Sequence, residues 1–296
     1  MNIAHASTQS TPFSKSLRRW IKGHQLFSYF FLAYAISWIL FIPYVLAEWG
    51  VLSGNYNLFY ILHTFGPAFA TIIVTAIIAG KPGLQDLRQR IRQRKASGQW
   101  YLFILMGIPV LVLLGIVIQP GALTHFHDLT PGVLVIYPLL YVITFFGGGP
   151  LGEEIGWRGF ALPRMQQRNG PLWGTLFLGV LWACWHLVDF LTASKGGGQG
   201  TGWTVFLTNF PVFALAVVSL AIVMTWIFNH TGGSIFAAIL AHTSVNILEV
   251  VLIPRYLTLD DVTLHRALLI GFGVPALLIL ILTRGQLGYQ PNHEQF

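Results

Sequence analysis

The chain has 296 residues, of which 54% are hydrophobic and 9% charged, with a mean hydropathy of +0.65. That composition excludes a large soluble domain and makes lipid the solvent for most of the chain. The formal net charge of +7 sits between apolar runs, so it reports membrane topology and not nucleic-acid binding.

Residues 1–25 carry Lys15, Arg18, Arg19 and Lys22 and no acidic residue. They read as a basic cytoplasmic arm that is retained, since no cleavage-site pattern follows and the next apolar run is too long for a signal-peptide core. Apolar runs then recur at Leu26–Ala47, Leu58–Gly80, Trp100–Ile118, Val133–Phe146, Leu172–Phe190, Val205–Phe228, Ile235–Ile253 and Ala267–Leu282. Each approaches the ~20 residues that a bilayer requires, which predicts an all-α polytopic bundle of about eight transmembrane helices filling a single domain, 26–284, with a short tail at 285–296. The fourth run is short and ends at Gly147-Gly-Gly-Pro150, so a separate helix is expected to start near Pro150. Prolines at 43, 67, 109, 138, 211 and 275 fall inside runs and read as kinks that neighbouring helices can satisfy.

Between the second and third runs, Leu84, Leu87 and Ile91 share one face among Arg88, Arg90, Arg92, Arg94 and Lys95. The pattern fits either a helix lying on an anionic membrane surface or a solvated loop whose charges fix topology. Gly196–Gly198 reads as a flexible connection. With both ends on one side, segments 1–25, 81–99, 150–170, 229–233 and 284–296 face the same way and hold every basic residue except Lys195, Arg255 and Arg266. By the positive-inside rule that side is cytoplasmic.

Against this background Glu153 and Glu154, in Pro150-Leu-Gly-Glu-Glu-Ile-Gly-Trp-Arg158, stand out. A charge at the bilayer centre costs at least about 2.5–3.5 kcal/mol on insertion scales, so two carboxylates there need a partner or a polar cavity. Arg158 lies one helical turn after Glu154 on the same face and is the expected partner; Glu153 points roughly 100° away and is left for another task. His186 lies in the fifth run with Trp182 one turn before it, and His242 in the seventh with Asn246 one turn after it. Convergence of these groups in the C-terminal half, between helices, spares three helices from exposing them to lipid. Glutamate can take a proton from water, histidine can assist or return it, and His with Asn can donate hydrogen bonds to an oxyanion, which together is peptide-bond hydrolysis.

Other polar residues read more plainly. Cys184 stands about 200° from His186 around a helix, so the two form no thiol–imidazole pair, and as the only cysteine it excludes an intrachain disulfide. His-Glu-x-x-His and Gly-x-Ser-x-Gly are absent. Ser234 is expected to cap the seventh helix, Asp189 and Glu249 to meet interfacial water, and His63 to pack. Glu153, His186 and His242 could in principle hold zinc.

Glu153-Glu154-x-x-x-Arg158, Trp182-x-x-x-His186 and His242-x-x-x-Asn246, in this order on successive apolar segments, resemble the type II CAAX prenyl endopeptidases, the CPBP or Abi family of intramembrane glutamate proteases. The motifs cover about residues 147–250, and Trp182 stands where the family more often has Phe. The resemblance implies Glu153 as the water-activating base with His186 beside it, His242 and Asn246 as the oxyanion site, and Glu154 with Arg158 as the supporting pair. It implies no cofactor, although the family has long been described as metalloproteases, and membrane lipids and a peptide or lipidated protein as partners. The compact chain with short loops looks like prokaryotic cell-membrane members linked to bacteriocin maturation, immunity or scaffolding. A scaffold without catalysis, or a small transporter relaying protons through Glu and His, is the rival expectation.

Overall fold

The computed structural model describes residues 12–127, 132–147, 149–195 and 202–291. The Gly196–Gly198 connection and the outermost parts of the arm and tail lie outside these. In lipid each backbone N–H and C=O must be satisfied within the protein, and the described residues accordingly form helices, with one isolated antiparallel bridge between Phe126 and Leu257.

The arm forms α1 (Pro12–Gly23) and runs into α2 (Gln25–Glu48). A short α3 (Asn57–His63) precedes α4 (Gly66–Arg92). Then come α5 (Gly98–Val117), α6 (Gly132–Gly147), α7 (Pro150–Asn169), α8 (Pro171–Leu191), α9 (Gly202–His230), α10 (Ile235–Tyr256) and α11 (Asp261–Thr283). Seven of these helices are long and apolar enough to cross a membrane, and the bent pair α6–α7, with 46° between its halves, is an eighth where the two halves count as one span. The helix that the sequence places after Gly147-Gly-Gly begins at Pro150.

Burial ranks the helices. Of the most apolar windows, 61% of α10 and 56% of α9 are buried, against 22% of α2 and 28% of α5 and α11. Thus α9 and α10 form the centre and the others face lipid on one side, where residues such as Leu134, Val135 and Leu282 are exposed. The α9 helix packs on α8 and α11, and α2 packs on α4. The core is rich in large aromatics, with Tyr29, Phe41, Trp157, Trp182 and Trp185 all buried.

Three expectations are corrected. The second apolar run is not one helix: α3 stops at His63, two residues turn the chain, and α4 starts at Gly66. Ser37 Oγ donates to the His63 carbonyl at 2.8 Å, which satisfies one of the groups freed there. The Arg88–Lys95 segment is neither a lipid-facing helix nor a loop throughout. As far as Arg92 it continues α4 beyond a break at Gly80 (φ 64°), and its apolar stripe packs on protein at Leu87, which is buried, with Arg90 Nη1 donating to the Gly159 carbonyl at 3.0 Å. The fifth run reaches Leu191 but changes geometry on the way: the α-helical part of α8 stops at Trp185, and His186–Leu191 is a 3-10 turn. Indoles of α2 and of the residue just after it bind carbonyls there, Trp38 Nε1 donating to Trp185 at 3.0 Å and Trp49 Nε1 to Leu191 at 2.8 Å.

Candidate active site

The site begins at the α6–α7 corner. Gly149 takes φ 98°, a conformation that L side chains rarely adopt, and Pro150 then occupies the first turn of α7, where a missing N–H costs nothing. One turn on, a Cβ at Gly152 would stand 2.5 Å from the Thr64 carbonyl oxygen, so glycine lets α7 lie directly against the α3–α4 break. This close approach buries Glu153 and Glu154 to 3% and 0% exposure.

Each carboxylate has its own set of donors. Glu153 Oε2 accepts from Trp182 Nε1 at 2.8 Å and from Trp157 Nε1 at 3.3 Å. Two neutral donors on one oxygen hold the carboxylate and leave Oε1 directed elsewhere. A Cβ on Gly149 would meet Glu153 Oε1 at 2.7 Å and Asn246 Nδ2 at 3.7 Å, so these two groups border the same small space beside the corner. Glu154 Oε1 accepts from Arg158 Nη1 at 2.8 Å, the one-turn pair read from the sequence, and meets His242 Nδ1 at 2.9 Å. The guanidinium of Arg158 also lies 4.6 Å over the Trp182 ring.

Trp182 therefore organises the centre. It donates to Glu153, covers Arg158, and stands edge-on to His242 with ring centroids 5.3 Å apart. His186 lies on its other flank at 6.5 Å and packs against Trp185 at 4.7 Å. Glu153, Glu154, Arg158, Trp182, His242 and Asn246 are thus brought together by direct contact or a shared neighbour. His186 joins them through Trp182, and its Nδ1 is bound by Asp189 Oδ2 at 2.6 Å.

That Asp189 contact is a correction. Asp189 is buried rather than facing interfacial water, with His63 Nε2 3.6 Å from its other oxygen. Glu249 is likewise paired, with Lys195 Nζ at 2.8 Å. His63 is held at Nδ1 by the Tyr60 carbonyl and stacks on Trp185, and Ser234 caps α10 by accepting from the Ala237 N–H at 3.1 Å. The sequence held signals for two missed residues: Asp189 follows His186 by three positions and Trp157 follows Glu153 by four, both spacings that meet on a helical face. A π-helical turn follows the glutamates, at Trp157–Ala161, and another follows Asn246, at Ile247–Leu252. Such turns insert a residue that re-aims side chains, and they recur at functional sites.

Among the described residues no three His, Cys, Asp or Glu side chains are grouped to hold a metal. Glu153 Oε2 and the Nδ1 atoms of His186 and His242 are each engaged with protein, while Glu153 Oε1 and the two Nε2 atoms take no part in these contacts.

The family model described as type II CAAX prenyl endopeptidase Rce1-like matches residues 135–248, the segment that contains every residue of this cluster except the flanking Tyr60, His63 and Glu249. A protein of Methanococcus maripaludis named CAAX prenyl protease 2 is 24% identical over 236 residues, covering 74% of this chain and 82% of its own length. The motifs stand in order on helices packed around one polar centre, and over this segment the chain is similar to the type II CAAX prenyl endopeptidases.

Proposed function

We propose that the protein is an intramembrane endopeptidase whose nucleophile is a water activated by Glu153. The observation that carries this reading is the division of labour on the Glu153 carboxylate: two indole N–H groups hold Oε2, while Oε1 borders the space shared with Asn246. In the reaction Glu153 takes a proton as the water oxygen bonds to the peptide carbonyl carbon. The carbonyl oxygen becomes an oxyanion that Asn246 Nδ2 and His242 Nε2 stabilise, the histidine donating when protonated on both nitrogens with Nδ1 held by Glu154. The C–N bond then breaks, and the proton returns to the leaving amine from Glu153 or from His186, which Asp189 orients. Glu154 and Arg158 hold α7 in register.

The substrate class is a membrane-associated peptide of the C-a-a-X type, a lipidated cysteine followed by three residues, as the name of the Methanococcus relative indicates for that protein. Both termini face the cytoplasm, with the basic segments. Cleavage of a farnesylated C-a-a-X peptide by the purified full chain, compared with Glu153→Gln, tests the assignment. Acid–base groups are worth about 10²–10⁴ in rate, so the variant should fall by at least that factor while unfolding as the parent does. Cleavage retained in Glu153→Gln would overturn the role of Glu153. A folded parent that cleaves no such peptide would favour the scaffold or transporter.

A further inference from the structure

At the end of the bundle that carries the basic segments, a cavity of about 720 Å³ opens between the α1–α2 junction, the kinked part of α4 and the middle of α7. Three basic side chains line it, Lys22, Arg90 and Arg164, against one acidic residue, Asp86. The two arginines are fixed in place. Arg164 Nε donates to Gln25 Oε1 and its Nη1 to the Phe160 carbonyl, each at 3.0 Å, and its guanidinium lies 3.8 Å over the Phe160 ring. Arg90 Nη1 donates to the Gly159 carbonyl at 3.0 Å. Tethered guanidinium groups lining one cavity suit multiply charged oxyanions, and most of all phosphate.

Its position adds a second argument. Gln25 is the first residue of the α2 span, and Thr75 to Pro82 flank the break in α4 at Gly80, so the cavity lies beside the start of one apolar span and the kink of another. Beside it α1 exposes Leu17 and Trp20, as an interfacial helix does, and is tied to α4 by Arg18 Nε donating to the Ile77 carbonyl at 2.9 Å.

We infer that this cavity binds a phosphate-bearing anion, the phosphate being held between Arg90 and Arg164 with Lys22 at the rim. Gly159, Phe160 and Arg164 belong to the helix that carries Glu153 and Glu154, so occupancy would brace α7 in the turns that follow the glutamates. The inference stands on the cavity alone and does not depend on the protease reading.

Native mass spectrometry of the full chain in detergent, titrated with phosphatidylglycerol, phosphatidylcholine or inorganic phosphate, tests it. Phosphatidylglycerol should be retained and phosphatidylcholine not. Protection against thermal unfolding by inorganic phosphate alone would make free phosphate the source, with the same site. Loss of one charge-assisted contact should weaken retention about tenfold in Arg164→Gln. Lys22→Gln, at an exposed rim position that places no demand on folding, should weaken it as well. Lys95→Gln, exposed and outside the cavity lining, should leave it unchanged. Equal retention of both lipids without an effect of phosphate, or equal losses in Lys95→Gln and the two cavity variants, would overturn the inference.

Discussion

Arg158→Ala tests how the glutamate helix is held. The guanidinium is fully buried, donates to Glu154 Oε1 at 2.8 Å and lies 4.6 Å over the Trp182 ring. Truncating one partner of a buried ion pair costs about 3–5 kcal/mol, because the remaining charge stays where little solvates it. A desolvated cation–π contact adds up to about 2 kcal/mol. Two features pull the other way. Glu154 Oε1 keeps His242 Nδ1 at 2.9 Å, and Nε and Nη2 of Arg158 have no hydrogen-bond partner among the described residues, so burying this side chain is itself costly. The net loss should therefore lie near the lower end, about 3 kcal/mol. Thermal unfolding in detergent of Arg158→Met, Glu154→Gln and the double variant closes a double-mutant cycle alongside the alanine variant. The double variant should lose less than the two single variants together, by at least about 1.5 kcal/mol. An Arg158→Ala protein as stable as the parent, or additive single losses, would refute the pairing.

Asp189→Asn should lower peptide cleavage by about 10²–10⁴, no more than His186→Ala does, and change the pH profile, because His186 loses the carboxylate that fixes its tautomer; an unchanged profile would make Asp189 a packing residue only. Gly149→Ala should abolish cleavage and cost about 1–3 kcal/mol of stability, since φ is 98° and the new Cβ would crowd Glu153 Oε1; a fully active variant would show that Oε1 does not work at this corner. A cysteine placed at the exposed Lys95 position should react with an impermeant reagent only after intact cells are permeabilised, and labelling from outside would reverse the proposed topology.

The helical bundle was legible because lipid leaves the backbone few alternatives and each span must be apolar along its length. The glutamates, Arg158, His242 and Asn246 were legible for the complementary reason: polar groups in such runs are costly, and one-turn spacing says which share a face. Position near the end of a run hid Asp189 and Glu249, since an interfacial carboxylate and a buried one look alike until the neighbouring helix is known. His63 and Asp189 approach from different helices, a contact that no local spacing encodes. The break after His63 was hidden inside an unbroken apolar run, where only packing against Gly152 distinguishes one long helix from two. The Leu84, Leu87 and Ile91 stripe was correctly seen as amphipathic, but a stripe does not say whether lipid or protein covers it.

The claim that Glu153 activates water rather than attacking the peptide itself is tested by a single turnover in ¹⁸O-labelled water, with the purified full chain in excess over a C-a-a-X peptide. A general base leaves the carboxylate oxygens untouched, so the new carboxyl group of the product should carry ¹⁸O from the first turnover, and Glu153→Gln should form no product on that timescale. A first-turnover product lacking ¹⁸O would show that the Glu153 carboxylate had bonded to the substrate, and product formed by Glu153→Gln would place the base elsewhere.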